Sequence, residues 1–279
     1  MLRKLSNGWE LARQSFRVLS LDKELLTFPL MSGIACFLVL ASFAGPLWLT
    51  GEAQAILDEH RRPEGPLAYL LMFAFYFANY FVIVFFNSAL VECAIIRFRG
   101  GDPTIRDGLS AAWARLPQIA GWALVSATVG VVLRAIESQS EKAGQFVASL
   151  LGMAWGAATY FVVPVLVVEQ VGPFEALKRS FAILKRTWGE SLVANFSIGL
   201  LVSLAYFLAA IPLIVGAMIG GAPGLFAGGL VTVCLWILIG LAAAALNAIV
   251  LAAAYLYAAE GAVPPQFDAA LLQEAFVRK

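Results

Sequence analysis

Apolar residues fill six stretches of the chain, and each stretch is long enough to cross a bilayer as a helix. Polar and apolar positions do not alternate within them, so the pattern predicts helices and not the strands of a membrane barrel. The fifth and sixth share the uncharged run from Ser191 to Ala259, which a turn signal at Gly220–Gly224 divides. We place the spans at residues 25–50, 65–91, 116–133, 146–168, 192–219 and 226–258.

Amphipathic helices are predicted before and between the spans. In residues 3–21, apolar side chains recur at helical spacing at Leu5, Trp9, Ala12, Phe16 and Leu19. Glu10, Arg13, Gln14 and Arg17 take the polar face of this helix. A second interfacial helix is predicted at residues 103–115, with Asp102 as a cap and a capping box from Thr104 to Asp107. Its apolar stripe is Ile105, Leu109, Trp113 and Leu116.

The clearest interfacial helix is predicted at residues 173–188. Its apolar stripe consists of Phe174, Leu177, Phe181, Leu184 and Trp188. Lys178, Lys185 and Arg186 form a basic face, which is the candidate docking face of the protein. Residues 260–279 follow the sixth span as a tail, and the whole chain, 1–279, is expected to form one transmembrane domain.

Three short segments precede spans and resemble one another: Ser15–Leu19, Ala112–Leu116 and Ser180–Leu184. They suggest three units, each an interfacial helix followed by a transmembrane hairpin. Chance similarity among amphipathic helices is the alternative, because the identity between the segments is low.

The motifs Val167-Val168-Glu169, Gly172-Pro173, Ala176-Leu177-Lys178-Arg179-Ser180 and Lys185-Arg186-Thr187-Trp188-Gly189-Glu190 resemble an uncharacterised family of six-span prokaryotic membrane proteins. Phe16-Arg17-Val18-Leu19 and Gly101-Asp102-Pro103-Thr104 are similar to that family too. The resemblance covers essentially the whole chain and implies a fold and a membrane location. It also implies a membrane-anchored AAA protease as a partner. It carries over no catalytic residue.

Composition and charge narrow the class of protein further. Of 279 residues, 61% are hydrophobic and 13% are charged, which excludes a soluble globular enzyme, a disordered chain and a disulfide-rich domain. The net charge of +1 gives no reason to expect nucleic acid as a partner. Fifteen of the nineteen lysines and arginines fall on the side of the first residue, so both termini are predicted to be cytoplasmic in the cell membrane.

Residues for catalysis, metal binding or cofactor binding are scarce. His60 is the only histidine, and it lies in the loop after the first span, so it completes no metal motif. Cys36, Cys93 and Cys234 are far apart and are expected to be small buried packing residues. The spans contain no aspartate, and no phosphate-binding glycine loop occurs. We therefore predict no catalytic residue, no metal, no cofactor and no enzyme activity.

Five polar residues in or beside the spans are candidate intramembrane sites: Asn79, Asn87, Glu92, Asn195 and Asn247. Glu92 is expected near the cytoplasmic interface, where it can pair with Arg97 or Arg99 or reach water. The alternative is a coupling site or a polar lining for a substrate path. Gly152–Gly156 and Gly216–Gly220 have the spacing at which helices pack closely.

Two functions remain open at this point. The first is a non-enzymatic integral membrane protein that binds another membrane protein or lipid through its interfacial helices. The second is a transporter or channel for a small solute, which usually displays charges at mid-membrane. Interfacial helices that only cover the ends of the spans are the plainest explanation of the amphipathic pattern.

Overall fold

The computed structural model describes residues 2–49, 66–137, 143–186 and 191–275. Every regular element in these ranges is a helix, which confirms the all-α class. Six stretches are long and apolar enough to cross a membrane, as predicted. They are Lys23–Pro46, Tyr69–Phe98, Leu116–Glu137, Gly144–Val168, Gly199–Ile219 and Gly221–Glu260.

The described chain contains twelve α-helices, a short 3-10 helix at Lys23–Leu26 and a π-helical turn at Leu256–Glu260. The α-helices are α1 Leu2–Leu21, α2 Thr27–Leu49, α3 Pro66–Phe98, α4 Ile105–Ala114, α5 Leu116–Glu137, α6 Ala143–Ala158, α7 Val162–Val168, α8 Pro173–Arg186, α9 Ser191–Ala209, α10 Ile211–Ile219, α11 Gly221–Tyr255 and α12 Ala269–Ala275.

Two of the predicted spans are each built from two helices. In the fourth span, α6 ends at Ala158 and α7 begins at Val162, two residues before Pro164. In the fifth, α9 ends at Ala209 and Pro212 lies in the first turn of α10. Proline has no backbone N–H to donate and favours the start of a helix, so each break falls just ahead of a proline.

The contacts divide the chain into two compact units, each assembled from separate segments. One consists of Met1–Pro29, Cys93–Pro103 and Lys185–Lys279, and the other of Leu30–Glu92 and Thr104–Leu184. The single transmembrane domain stays a prediction.

In the first unit, α1 packs against α9, α11 and α12. Leu11 and Val18 on α1 are fully buried, and so are Ala252, Ala254 and most of their neighbours in the last turns of α11. Helices α10 and α11 form a hairpin whose backbones come very close. A Cβ at Gly228 would overlap the carbonyl oxygen of Pro212, and one at Gly216 that of Gly224. Predicted close packing at Gly216–Gly220 is thus confirmed.

In the second unit, α5 packs against α6, and the indole rings of Trp122 and Trp155 stack at 5.7 Å. Ile119, Ala123 and Ala127 are buried on the same helix. The close packing predicted at Gly152–Gly156 is wrong, because no described atom outside the helix backbone lies within 4 Å of a Cβ at either glycine. Spacing alone does not decide which helix face meets a neighbour.

Large apolar side chains are exposed all along the spans. Phe207, Met218, Ile219 and Phe226 each expose at least three quarters of their surface. Large apolar side chains exposed in such number are unfavourable in water and suit the hydrocarbon of a bilayer. Cys93 is buried as expected, whereas Cys234 is exposed on the apolar surface of α11, so its predicted burial is wrong.

Candidate interfacial surface

Helix α8 attaches to its unit through small residues and one serine. Ala176, Ser180 and Ile183 recur at helical spacing and are buried, together with Leu184. The hydroxyl of Ser180 donates to the carbonyl of Ala158 at 2.7 Å and accepts the backbone N–H of Phe161 at 3.0 Å. These backbone groups flank the break between α6 and α7. Ser180 therefore satisfies polar groups that the interrupted helix leaves without a helical partner.

The opposite face of α8 combines aromatic and basic side chains. Phe174 is 69% exposed and Phe181 is 55% exposed. Lys178 and Lys185 are exposed between and beyond them. At about 100° per residue the four side chains fall within roughly 60° of the helix circumference. We call these four residues the outward face of α8.

The predicted apolar stripe of α8 is divided in the structure. Leu184 is buried in the protein, whereas Phe174 and Phe181 are exposed. The lysines share a face with these phenylalanines and do not lie opposite them. The side chains of Arg186, Trp188 and Asn195 lie outside the described part of the structure.

Helix α1 repeats this arrangement position by position. Leu11, Ser15 and Val18 are fully buried, and Leu19 is nearly so. Trp9 and Phe16 are exposed, with Arg13 and Ser20 exposed at the positions that match Lys178 and Lys185. The matching pairs Ser15–Ser180 and Phe16–Phe181 have the register expected from the sequence repeat. The predicted polar position of Gln14 is wrong, because its buried side chain accepts the backbone N–H of Asp268 at 3.1 Å.

Helix α4 keeps only part of the pattern. Gly108 and Ala112 are buried at the corresponding positions, and Trp113 is 69% exposed with an edge contact to Phe85. Ser110 replaces the cation of the other two helices. The third copy of the repeat therefore shares the buried side, but its outward side has Arg106 and Ser110 where α8 has Phe174 and Lys178.

The N-terminus of α4 carries the predicted capping box. Asp107 Oδ2 accepts the backbone N–H of Thr104 at 3.0 Å, and the Thr104 hydroxyl accepts the backbone N–H of Asp107 at 3.2 Å. Asp102 was also expected to cap this helix, and that is wrong because the N-cap is Thr104. Hydrogen bonds from the Thr104 hydroxyl and backbone lower the pKa of the Asp107 carboxyl.

Charged groups fasten the segments around α8. Arg179 on α8 donates to Glu169, which precedes the helix, with an Nε to Oε1 distance of 2.9 Å. The guanidinium of Arg115 donates to the carbonyl of Val167 at 2.7 Å, at the end of α7. Both contacts hold the short connection between α7 and α8, so the orientation of α8 is fixed at its beginning.

A second ionic cluster lies at the end of α1. Arg97 donates to both carboxylate oxygens of Asp22, which is only 6% exposed, and also to the exposed carboxylate of Asp102. Arg99 pairs with Glu260 in the π-helical turn at 3.3 Å. Of the two alternatives for Glu92, pairing with one of these arginines does not occur among the described residues. No local sequence signal could have found the pair of Arg97 with Asp22, because 75 residues separate them.

The predicted intramembrane polar residues of α3 do not share one helix face. Asn79 donates its amide to the carbonyl of Phe75 on its own helix at 2.9 Å. Asn79 and Glu92 point in directions about 140° apart around α3. Asn87 and Glu92 are half-buried, and Asn247 is exposed on α11. Among the described residues, three or more potential metal ligands do not come together anywhere, and His60 lies outside the described ranges.

A family model described as a family of unknown function (DUF6159) matches residues 67–264. The chain belongs to this family. The match begins in α3, extends past the end of α11 and includes the motifs at residues 167–190, so membership of an uncharacterised family is confirmed. No curated protein and no solved structure matches the chain.

Sequence reasoning missed Ser15 and Ser180 as the inward residues of α1 and α8 in this DUF6159 member. The signal was present as small residues four apart, Ala176 with Ser180, on the side of the helix that lacks aromatic residues. An apolar stripe marks where a helix avoids water. Small residues mark where another helix comes close.

Proposed function

We propose that this protein is a non-enzymatic integral membrane protein that binds another membrane protein or lipid through its interfacial helices. The observation that carries the proposal is the outward face of α8. There Phe174 and Phe181 are exposed beside Lys178 and Lys185, although the other side of the same helix is fully packed. Exposed aromatic residues next to cations suit a binding surface in which an apolar layer lies beside a charged layer, as at a membrane interface.

The orientation proposed for the chain places both termini in the cytoplasm of the cell, with the protein in the cell membrane. Two spans separate α1 from α4, and two separate α4 from α8, so alternation puts all three helices at the same membrane surface. The excess of lysine and arginine on that side supports the cytoplasmic assignment. A membrane-anchored AAA protease, implied by the family resemblance, is the candidate protein partner.

A transporter or channel is the second candidate, and it depends on Glu92. The carboxylate is half-buried on the second candidate span, which is the position of a possible coupling group. Against this function, the amide of Asn79 is bonded within its own helix and points away from Glu92. If Glu92 is structural, Glu92→Gln should express normally and change no transport activity. Loss of a proton-dependent flux in that variant would favour the transporter.

The test of the main proposal is purification of the intact protein from native membranes in mild detergent. Wild type should retain a defined protein or lipid that the variant Lys178→Ala/Lys185→Ala/Arg186→Ala loses, while the variant inserts and purifies normally. An unchanged set of retained proteins and lipids would contradict docking through α8. It would leave the helix as a linker that covers the ends of the spans.

A further inference from the structure

The outward face of α8 has a regular order of side chains. Phe174, Lys178, Phe181 and Lys185 follow one another at spacings of four, three and four residues, and all four are exposed. Aromatic and cationic groups therefore alternate along about three turns of one helix face. An ordinary amphipathic helix separates these two classes onto opposite sides. A partner for this face must therefore accommodate benzyl rings and ammonium groups next to each other.

The same order occurs on α1. The exposed residues with the same spacings are Trp9, Arg13, Phe16 and Ser20. The aromatic positions match, and the one difference in the order is a serine where α8 has its second lysine. The acids Glu10 and Glu175 also occupy matching positions. Each face belongs to a helix whose other side is fixed by buried residues in its own unit. The two helices therefore share the same pattern of buried and exposed positions, which α4 repeats only in part.

The reach of α8 limits what can cover its outward face. Only Glu169–Gly172 separate it from α7, which ends the fourth candidate span, and only residues 187–190 separate it from α9. The face is thus tethered at both ends to membrane-spanning segments. Aromatic side chains favour the level of the lipid headgroups, and cations near that level attract anionic lipids.

We propose that the outward face of α8 binds the headgroups of anionic phospholipids. Lys178 and Lys185 contact the phosphate groups, and Phe174 and Phe181 pack between the glycerol backbone and the upper acyl chains. The matching face of α1 binds the same lipid class with one cation fewer along the order, because Ser20 replaces Lys185. This inference rests on the proposed function and names lipid, not protein, as the occupant.

The charges of the two lysines determine which lipid headgroup this face prefers. A zwitterionic lipid offers the lysines a phosphate but no net charge, so preference for an anionic lipid should weaken as salt rises. Lysine acts as a compact point charge and arginine keeps that charge, so exchange of one for the other should retain the preference. The phenylalanines carry no charge, so they should strengthen the binding of anionic and zwitterionic lipids equally.

The test uses the full chain in nanodiscs of phosphatidylcholine with about one lipid in three replaced by phosphatidylglycerol. Native mass spectrometry during delipidation measures which lipids stay bound. Wild type should retain phosphatidylglycerol preferentially. Lys178→Gln/Lys185→Gln should weaken that retention about 30-fold, at about fivefold for each cation. Lys178→Arg/Lys185→Arg should keep it, and so should Arg134→Gln, which removes an exposed cation from the other end of a span.

Three results would overturn the inference. Wild type without any preference for phosphatidylglycerol would do so before any variant is made. A second is retention of phosphatidylglycerol by the glutamine double variant at the wild-type level. A third is loss of phosphatidylglycerol retention in the arginine double variant. If the glutamine variant keeps phosphatidylglycerol but loses a protein retained from native membranes, the occupant is a protein. The lipid inference then fails and the proposed function stands.

Discussion

The hydroxyl oxygen of Ser180 accepts the backbone N–H of Phe161 at 3.0 Å, and this bond joins α8 to the break between α6 and α7. The break exposes backbone groups in a place that water does not reach, since Phe161 and Ser180 are both fully buried. One side chain on a neighbouring helix thus replaces the partners that a continuous helix would supply.

Removal of the Ser180 hydroxyl should be costly. Ser180→Ala leaves the buried N–H of Phe161 and the carbonyl of Ala158 without this partner, so we expect a loss of about 1–3 kcal/mol in the free energy of unfolding. Ser15→Ala is the matched control, because the buried Ser15 hydroxyl has no hydrogen-bond partner among the described residues. Thermal unfolding in detergent should separate the two variants. Equal melting temperatures would contradict the role given to Ser180.

The two carboxylates on Arg97 should differ in importance. Asp22 is 6% exposed and Asp102 is 91% exposed. Asp22→Ala removes two charge-assisted hydrogen bonds from Arg97 but leaves it Asp102, so we expect a loss of about 1.5–3 kcal/mol. Asp102→Ala should cost less than about 1 kcal/mol, because an exposed ion pair contributes little. Denaturant unfolding of both variants measures the difference, and a larger effect at Asp102 would refute the assignment.

The α10–α11 hairpin should not tolerate a methyl group at Gly228. A Cβ there would overlap the carbonyl oxygen of Pro212, which is backbone and can move only with its helix. We expect Gly228→Ala to lower stability by about 1–3 kcal/mol. Gly229→Ala is the control, because its Cβ would meet Leu213 Cδ1 at an ordinary 3.6 Å. A melting temperature that falls equally for both variants would argue against the close contact.

The capping box of α4 should weaken in acid. The folded state lowers the pKa of Asp107, so the carboxylate stabilises the helix above the ordinary pKa of 3.8 and loses this effect as pH falls through the lower folded value. Amide hydrogen exchange at residues 105–108, corrected for intrinsic rates, should accelerate in that acid range. In the Asp107→Asn variant, amide exchange at these residues, corrected in the same way, should no longer accelerate in acid. A wild-type profile without an acid limb would exclude the titration.

Membrane orientation can be tested with single cysteines in a background without Cys36, Cys93 and Cys234. Cysteine at Gln54 or Gln139 should react with a membrane-impermeant maleimide added to intact cells, and cysteine at Gln273 should react only after lysis. The reason is the excess of lysine and arginine on the side that holds Gln273. Labelling of Gln273 in intact cells would reverse the proposed topology.

The spans could be predicted because lipid imposes a strong and simple requirement. A segment must be long enough, apolar enough and internally hydrogen-bonded, and these conditions can be read from composition within one window. The capping box at Thr104 and Asp107 was predictable for a similar reason, since both partners lie within one turn. Local rules were sufficient wherever the partners were local.

The inward face of α8 was not predictable from hydropathy. An interfacial helix can place apolar residues against protein or against lipid, and a stripe such as Phe174 to Leu184 does not say which. The structure divides that stripe, with Leu184 inside and Phe174 outside. The pair of Arg97 and Asp22 was inaccessible for another reason, because it depends on how segments 75 residues apart pack together.

Substitution and insertion should have very different effects on α8. The helix has a buried face and an exposed face, and only the positions of the residues along the chain assign them to one or the other. The buried face holds Ala176, Ser180 and Ile183, and the exposed face holds the lysines. One extra residue between Ala176 and Ser180 would rotate everything before it by about 100° relative to everything after it. Ala176 would leave the interior, and the larger, half-buried side chain of Leu177 would turn toward it. The length of this helix between Pro173 and Ser180 is therefore constrained more tightly than the chemistry of its outward side chains.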